Sequence, residues 1–236
     1  DPDRPTHPHR QLTLSSMAAR RVSQFPELEP LRLPDLDVGS QTELVSRGSF
    51  ELRRFAGIDV SDRDLSGTTF TECELSNWSA DHTLFRGAQF VETRLDRMQA
   101  PVWAAPRLQL REVELTESRL GAAEMYDANF QSVLIDHCKL GWVNLRASEL
   151  SNVVFRDCVI GELDLVDSRL RRVSFEHCHV ESLHLGGATL EHVDLRGLEI
   201  GTISDPARLR GATLSSSQAA ALTRVFAAHL GILVED

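Results

Sequence analysis

The sequence predicts an all-β solenoid of square cross-section, and three observations carry that prediction. Every fifth residue from Val60 to Ile200 is apolar, at 29 of 29 positions. With 42% of the chain hydrophobic, chance would produce this with a probability on the order of 10^-11, so the beat is an internal repeat. The position two residues earlier is the second observation: from Thr68 to Leu198 its 27 occupants are small or apolar and never charged. The third is a slower beat of 20, seen in Val113, Val133, Val153, Val173 and Val193, in Cys138, Cys158 and Cys178, in Gly121, Gly141 and Gly161, and in Glu72, Glu92 and Glu112.

A helix returns apolar residues at three, four and seven, and a simple strand at two. Five suits a short extended segment with two inward side chains and then a tight turn. Four fives make one coil, and like residues stack on successive coils. Strands of neighbouring coils lie ~4.8 Å apart, so about seven coils give a rod of roughly 34 Å. The inward pair fills the axis, which no single coil could bury alone.

The residues within the beat resemble the pentapeptide-repeat family, whose unit runs roughly Ala-Asp/Asn-Leu-x-x. The matching pieces are Asp64-Leu65-Ser66-Gly67, Gly87-Ala88-Gln89-Phe90, Asp127-Ala128-Asn129-Phe130, Gly187-Ala188-Thr189-Leu190 and Val193-Asp194-Leu195-Arg196-Gly197. Leu209-Arg210-Gly211-Ala212-Thr213-Leu214 continues them. The resemblance spans about two thirds of the chain and implies a right-handed quadrilateral β-helix. Gly67, Gly87, Gly187 and Gly197 suit corners that need positive φ.

Taken in order, residues 1–44 form an arm with Pro2, Pro5, Pro8, Pro26, Pro30 and Pro34 and no steady period. It is expected to be disordered at its start and to pack later through Phe25, Leu28, Leu31 and Leu33. The chain opens at Asp1 rather than methionine, which fits a processed or truncated start. Residues 45–203 form the β-helix. Within it 45–59 lead in, with Phe50 and Phe55 already on the beat, and plug the first coil's open core. Arg63 falls on an inward position, so the first secure coil is expected near Thr68. From Trp78 to Ala105 the inward pairs swap sizes (Trp78 with Ala80, Met98 with Ala100, Trp103 with Ala105), which conserves volume. Pro101 and Pro106 sit at turns, where a missing N–H costs least. Residues 96–110 are therefore either a locally wide coil or a loop.

Residues 204–236 hold the last repeat and a cap. The beat slips at Asp205-Pro206 and resumes one residue out of phase at Leu209 and Leu214. Ser215 with Gln218 is a capping-box pattern, Leu222, Val225, Phe226 and Leu230 form one apolar helix face, and Gly231 ends it. Ile232-Leu233-Val234 is expected as a short strand. Several members of the resembled family pair through their C-terminal ends. Leu222, Phe226, Leu230, Ile232 and Val234 are therefore the candidate contacts of a homodimer.

No apolar run approaches the 18 residues a membrane span needs, and residues 1–20 hold no apolar signal-like core. Cys73, Cys138, Cys158 and Cys178 all occupy the inward small slot, where a thiol behaves as a small hydrophobe. The expectation is a cytoplasmic protein with reduced cysteines. The net charge of −10 lies wholly in 59–200, with 24 acids against 14 bases. Such a surface disfavours direct nucleic-acid binding and suits a basic partner or simple solubility.

Three chemistries were weighed. His137, Asp157 and His177 share a column, but the outer two start ~9.6 Å apart, too far for one zinc, so no metal site is assigned. Cys138 and Cys178 neighbour histidines, yet alternation sends the thiol inward and the imidazole outward, so no nucleophile–base pair forms. No cofactor loop and no catalytic residue is assigned. The best lead is the acidic face of Glu72, Glu74, Glu92, Glu112, Glu114 and Glu117, interrupted by Arg94, Arg97 and Arg111. The expected function is a non-catalytic, macromolecule-binding solenoid with a protein partner. The resemblance implies an alternative: quinolone-resistance pentapeptide proteins resemble DNA in size, shape and charge and occupy the DNA site of type II topoisomerases. A DNA mimic of that kind would bind DNA gyrase and protect it from quinolones.

Overall fold

The structure, a computed structural model, describes residues 24–235. Pro2, Pro5, Pro8 and the rest of the expected arm up to residue 23 lie outside the described residues. Alternation decides the architecture. The apolar beat from Val60 to Leu185 is buried throughout, as is the small slot from Thr68 to Leu198. Short parallel strands stack with a register of 20, from Ser49↔Thr69 at the front to His184↔Ser204 near the rear. Leu110, Phe130, Leu150, Leu170 and Leu190 form one such column.

The rod is a parallel β-solenoid of about nine turns, two more than the clean beat suggests. Pairing extends beyond that beat at both ends. Asp37–Val38 pairs with Arg53 and Arg54, and Ala212–Thr213 pairs with Val193 and Asp194. The rear register is 19 rather than 20, which is the one-residue slip legible at Leu209. At the front, Phe50 stacks on Phe70 at 5.1 Å and Phe70 on Phe90 at 4.9 Å, so coils are paired before Thr68. Arg63 does not break the stack. Its guanidinium donates to the carbonyls of Gln41 and Leu44, and Leu44 is buried beside them as part of the front cap.

Residues 96–110 contain no inserted loop. Gln89–Ala104 is one long strand that bends around corners in register with its neighbours. The size swap fills the axis there: Trp78 and Trp103 are fully buried and meet Phe85 edge-on at 6.1 and 6.0 Å. Their indole N–H groups have no acceptor among the described residues, a penalty of about 1–3 kcal/mol each that the buried aromatic area offsets.

Corners recur every five residues. Gly67, Gly87 and Gly187 adopt φ of 68°, 65° and 71°, as expected. Gly197 does not: a Cβ there would collide with the Phe175 carbonyl, so close packing requires it instead. Most corners are left-handed at non-glycine residues, including Glu72, Glu92, Glu112, Asn152 and His177. The ladder overrides a local preference of about 1–2 kcal/mol at each.

At the rear, Ser215 caps α1 (Ser216–Ala221) through the capping box with Gln218. The Gln218 amide also donates to the Leu195 and Leu198 carbonyls at 2.6 and 2.7 Å, satisfying the last coil's edge. A turn at Leu222 splits the expected single helix, and α2 (Thr223–His229) follows. It ends in a Schellman turn, with Gly231 at φ 72° and the Ile232 N–H donating to the Ala227 carbonyl at 2.8 Å. Ile232–Val234 is not a strand: the chain continues from the Schellman turn without pairing. No described helix is long and apolar enough to cross a membrane.

Phe155 and Phe175 stack at 4.8 Å with a 7° tilt and are 1% and 3% exposed. Phe155→Ala is expected to cost ~3–5 kcal/mol through the cavity it leaves. Urea unfolding measures this, and a loss below about 1 kcal/mol would contradict the inward assignment.

Candidate partner-binding site

The outer surface is ordered by the same 20-residue stacking as the core. Residues at one outward position of successive coils form columns, each neighbour one strand spacing (~4.8 Å) away. Three columns bear on function.

The first runs along a corner as Glu72, Glu92 and Glu112, followed by Ser132, Asn152, Arg172 and His192. Its residues adopt left-handed backbone, with Glu112 exposed and Glu72 and Glu92 half-buried. Among the described residues these three carboxylates have no ion-pair partner. The second column lies two residues on and alternates in sign: Arg54, Glu74, Arg94, Glu114. Arg54 reaches Glu74 at 3.1 Å, and Arg94 reaches Glu74 at 4.0 Å and Glu114 at 3.0 Å. Glu117, on the next corner, meets Arg97 at 3.7 Å, and Arg97 also meets Asp96 at 2.6 Å. The six acids singled out from the sequence thus divide. Glu74, Glu114 and Glu117 are neutralised in place, and Glu72, Glu92 and Glu112 project free charge. The signal for this was present in the sequence, since Arg54 and Arg94 keep the same 20-residue beat as Glu74 and Glu114.

The third column carries the histidines. His137 Nδ1 lies 3.0 Å from Asp136, its Nε2 lies 3.8 Å from Asp157, and His177 Nδ1 lies 3.5 Å from the other Asp157 oxygen. Asp136, His137 and Asp157 bring ligand atoms within 4.8 Å of one another. Both nitrogens of His137 already face carboxylates, so the column is an exposed His–Asp–His charge ladder. Asp136 was missed from sequence because it belongs to the adjacent face, not to the column. The cysteines show the opposite alternation and point inward. Cys158 is pushed up to about 12 by its hydrogen bond with Cys138, and Cys178 is raised further by Cys158. Cys138, at the ladder's end, is lowered by its bond with Cys158. All four thiols are buried in the core, whereas His137 and His177 are exposed.

The segment before Asp37, aperiodic in sequence, lies lengthwise over the alternating column. Phe25 sits under the Arg196 guanidinium at 5.3 Å, Glu27 bonds Asn152, and Leu31 bonds Glu114 and Arg94. Phe25, Leu28, Leu31 and Leu33 are half-buried. A cleft of about 630 Å³ runs beside this strap, lined by Glu27, Glu29, Glu92, Glu112, Glu114 and Glu176 among others. Within the core, two gaps offer only about 10 Å³ each, room for no more than a water molecule. At the C-terminal end, the candidate dimer residues separate. Leu222 is buried and Phe226 half-buried on the last coil, while Leu230, Ile232 and Val234 are exposed with Leu233.

Residues 128–204 match the family model of the pentapeptide repeat region. Among solved structures the chain is similar to HetL, a pentapeptide repeat protein involved in heterocyst differentiation regulation from the cyanobacterium Nostoc sp. strain PCC 7120. That likeness has 19% identity and a TM-score of 0.41, covering 72% of this chain and 91% of that one. It is also similar to QnrB1, a plasmid-mediated fluoroquinolone resistance protein. A trypsin-treated form gives 18% identity, a TM-score of 0.37 and coverage of 85% and 99%. The full-length form gives 19%, 0.34, and 80% and 94%. No curated protein matches the chain.

The Asp136 carboxylate, through its contact and then its charge, holds His137 above the ordinary imidazole value, with Asp157 and Glu117 adding to it. NMR titration is expected to place His137 above ~6.5, the unperturbed value, and Asp136→Asn is expected to lower it. Because the folded pKa is raised, the associated stability is full below the unfolded pKa and is lost as pH rises through the folded one. A His137 titration at or below ~6.5 would contradict the ladder.

Proposed function

We propose that this chain, whose residues 128–204 match the pentapeptide repeat region, acts as a non-catalytic rod that binds a protein partner through its acidic corner. The observation that carries this reading is the stack of Glu72, Glu92 and Glu112. Three carboxylates without partners, one strand spacing apart, make a local negative field on a rigid support. Neighbouring acids are consumed by Arg54, Arg94 and Arg97, so the field is concentrated rather than spread. A basic surface patch on a protein is its natural complement. The filled core and the open surface clefts favour a macromolecule over an enclosed small substrate.

DNA mimicry of a type II topoisomerase substrate remains the second reading, supported by the regular spacing of those three carboxylates. It is weakened by the column beside them, which alternates in sign, and by Ser132, Asn152, Arg172 and His192, which end the acidic run. A duplex offers phosphates without interruption.

Glu72→Lys, Glu92→Lys and Glu112→Lys together are expected to change stability by no more than about 0.5 kcal/mol per site and to abolish partner capture from a cytosolic extract. Identical capture by the wild type and the triple variant would remove the acidic-corner reading. Inhibition of gyrase supercoiling by the wild type, lost in the triple variant, would select mimicry instead.

We further propose that the rod pairs with a second copy through its rear end. Leu230, Ile232, Leu233 and Val234 are 71%, 55%, 89% and 50% exposed, a contiguous apolar tail of the kind that marks an interface. Two-fold pairing is the commonest way to cover it. Leu222 and Phe226 serve the cap, so the test must spare them. Leu230→Ser with Leu233→Ser is expected to halve the mass seen by light scattering, and a monomeric wild type would refute the dimer.

A further inference from the structure

We infer that the face crossed by residues 25–36 is a groove for an extended peptide, occupied in this chain by its own strap and open to a partner peptide of the same kind. The strap is recognised through its main chain. The Glu27 N–H donates to Asn152 Oδ1 at 3.0 Å, and Asn152 Nδ2 donates back to the Glu27 carbonyl at 2.9 Å. Four residues on, the Leu31 N–H donates to Glu114 at 3.0 Å, and Arg94 donates to the Leu31 carbonyl at 3.3 Å. Both main-chain groups of two residues are thus held by side chains from the rod. Main-chain clamping of this sort fixes an extended peptide without reading its sequence.

The floor of the groove explains residues that the repeat alone does not. Leu134 and Val154 occupy the outward column that elsewhere holds Arg54, Glu74, Arg94 and Glu114. Val154 is only 4% exposed, although it faces away from the axis. Both line the same cleft as Leu28 and Leu31. The occupant is therefore an extended segment with apolar side chains toward the floor. Prolines at every fourth position (Pro26, Pro30, Pro34) spare it ordering entropy and donors that would find no acceptor.

The strap is built to leave. Its backbone joins the ladder only at Asp37, through Leu52 and Arg54. Before that point it is held by side chains and is half-buried or exposed. Its advantage over a free peptide is the tether, which supplies an effective concentration of about millimolar order. The groove rests on Asn152, Leu134 and Val154; Glu92 and Glu112 line its edge, and Asn152→Ala leaves both carboxylates in place, so the two readings fail separately.

A fluorescent peptide of residues 24–38 tests the assignment on three full-length chains: the wild type, Leu28→Ser with Leu31→Ser, and that double variant with Asn152→Ala. The strap-weakened chain is expected to bind the peptide at least ~10-fold more tightly than the wild type, whose tethered strap competes. Asn152→Ala is expected to remove that gain. No binding by the strap-weakened chain, or binding indifferent to Asn152, overturns the proposal. Binding accompanied by a doubled mass in light scattering assigns the groove to strap exchange between copies and overturns the partner reading. Circular dichroism checks folding. As a measurement that does not need the double variant, Asn152→Ala alone should speed amide exchange across residues 25–33 far more than across residues 60–200. Unchanged exchange across 25–33 also overturns it.

Discussion

Everything in this molecule depends on one constraint: a coil of twenty residues has two inward side chains on each of four sides and cannot bury them without a coil above and below. Stacking therefore sets the register, and the register sets every neighbour, inside and out. Phe155 lies on Phe175 and Phe70 on Phe90 because their backbones are paired at 20. The same rule obliges the ends to be closed. At the front, Leu44 and the Arg63 guanidinium cover the first coil. At the rear, Gln218 satisfies two carbonyls of the last coil while Leu222, Val225 and Phe226 pack against its apolar rungs. Each cap includes a capping box, Ser40 with Glu43 at the front and Ser215 with Gln218 at the rear.

On the outside, the constraint turns one-dimensional spacing into electrostatics. A residue's closest outward neighbours are those 20 positions away. Charge balance must therefore be judged along columns as well as along the chain. Arg54, Glu74, Arg94 and Glu114 read in sequence as scattered charges but form a continuous ladder in space. Glu72, Glu92 and Glu112 read as members of the same cluster and are electrostatically different, because their column supplies no base until Arg172.

The solenoid, its four-sided coils, the inward pair, the rear slip and the capping box were legible because each follows from periodicity or from a local hydrogen-bond motif. What was not legible falls into two kinds. Left-handed corners at Glu72, Glu92 or Glu112 are imposed by the ladder on residues with no intrinsic preference for them, so glycine was a poor guide, as Gly197 shows. The strap, the front cap and the break at Leu222 have no period at all. The strap's position depends on contacts more than 60 residues away, as between Leu31 and Glu114, and the caps on contacts one coil away, as between Gln41 and Arg63. Of the candidate site, the acids were found and their division was not, since that needed Arg54 and Arg94 to be placed on the column.

The strap alters how the rod behaves as a material. In a solenoid each coil meets only its neighbours, so stability is a sum of nearest-neighbour terms and either end can fray alone. Among the described residues, 25–36 are the exception. They touch Arg196 near the rear, Asn152 in the middle, and Arg94 and Glu114 toward the front before joining the ladder at Arg53. Their attachment points are in register only while the intervening coils remain stacked. An occupied groove therefore couples distant coils that otherwise do not sense one another, and an empty one lets them fray independently. The same coupling runs in reverse, because anything that loosens the central coils lowers the affinity of the groove for its occupant. Groove occupancy and the stacking of the coils beneath it are in this way linked, through a segment that the repeat does not specify.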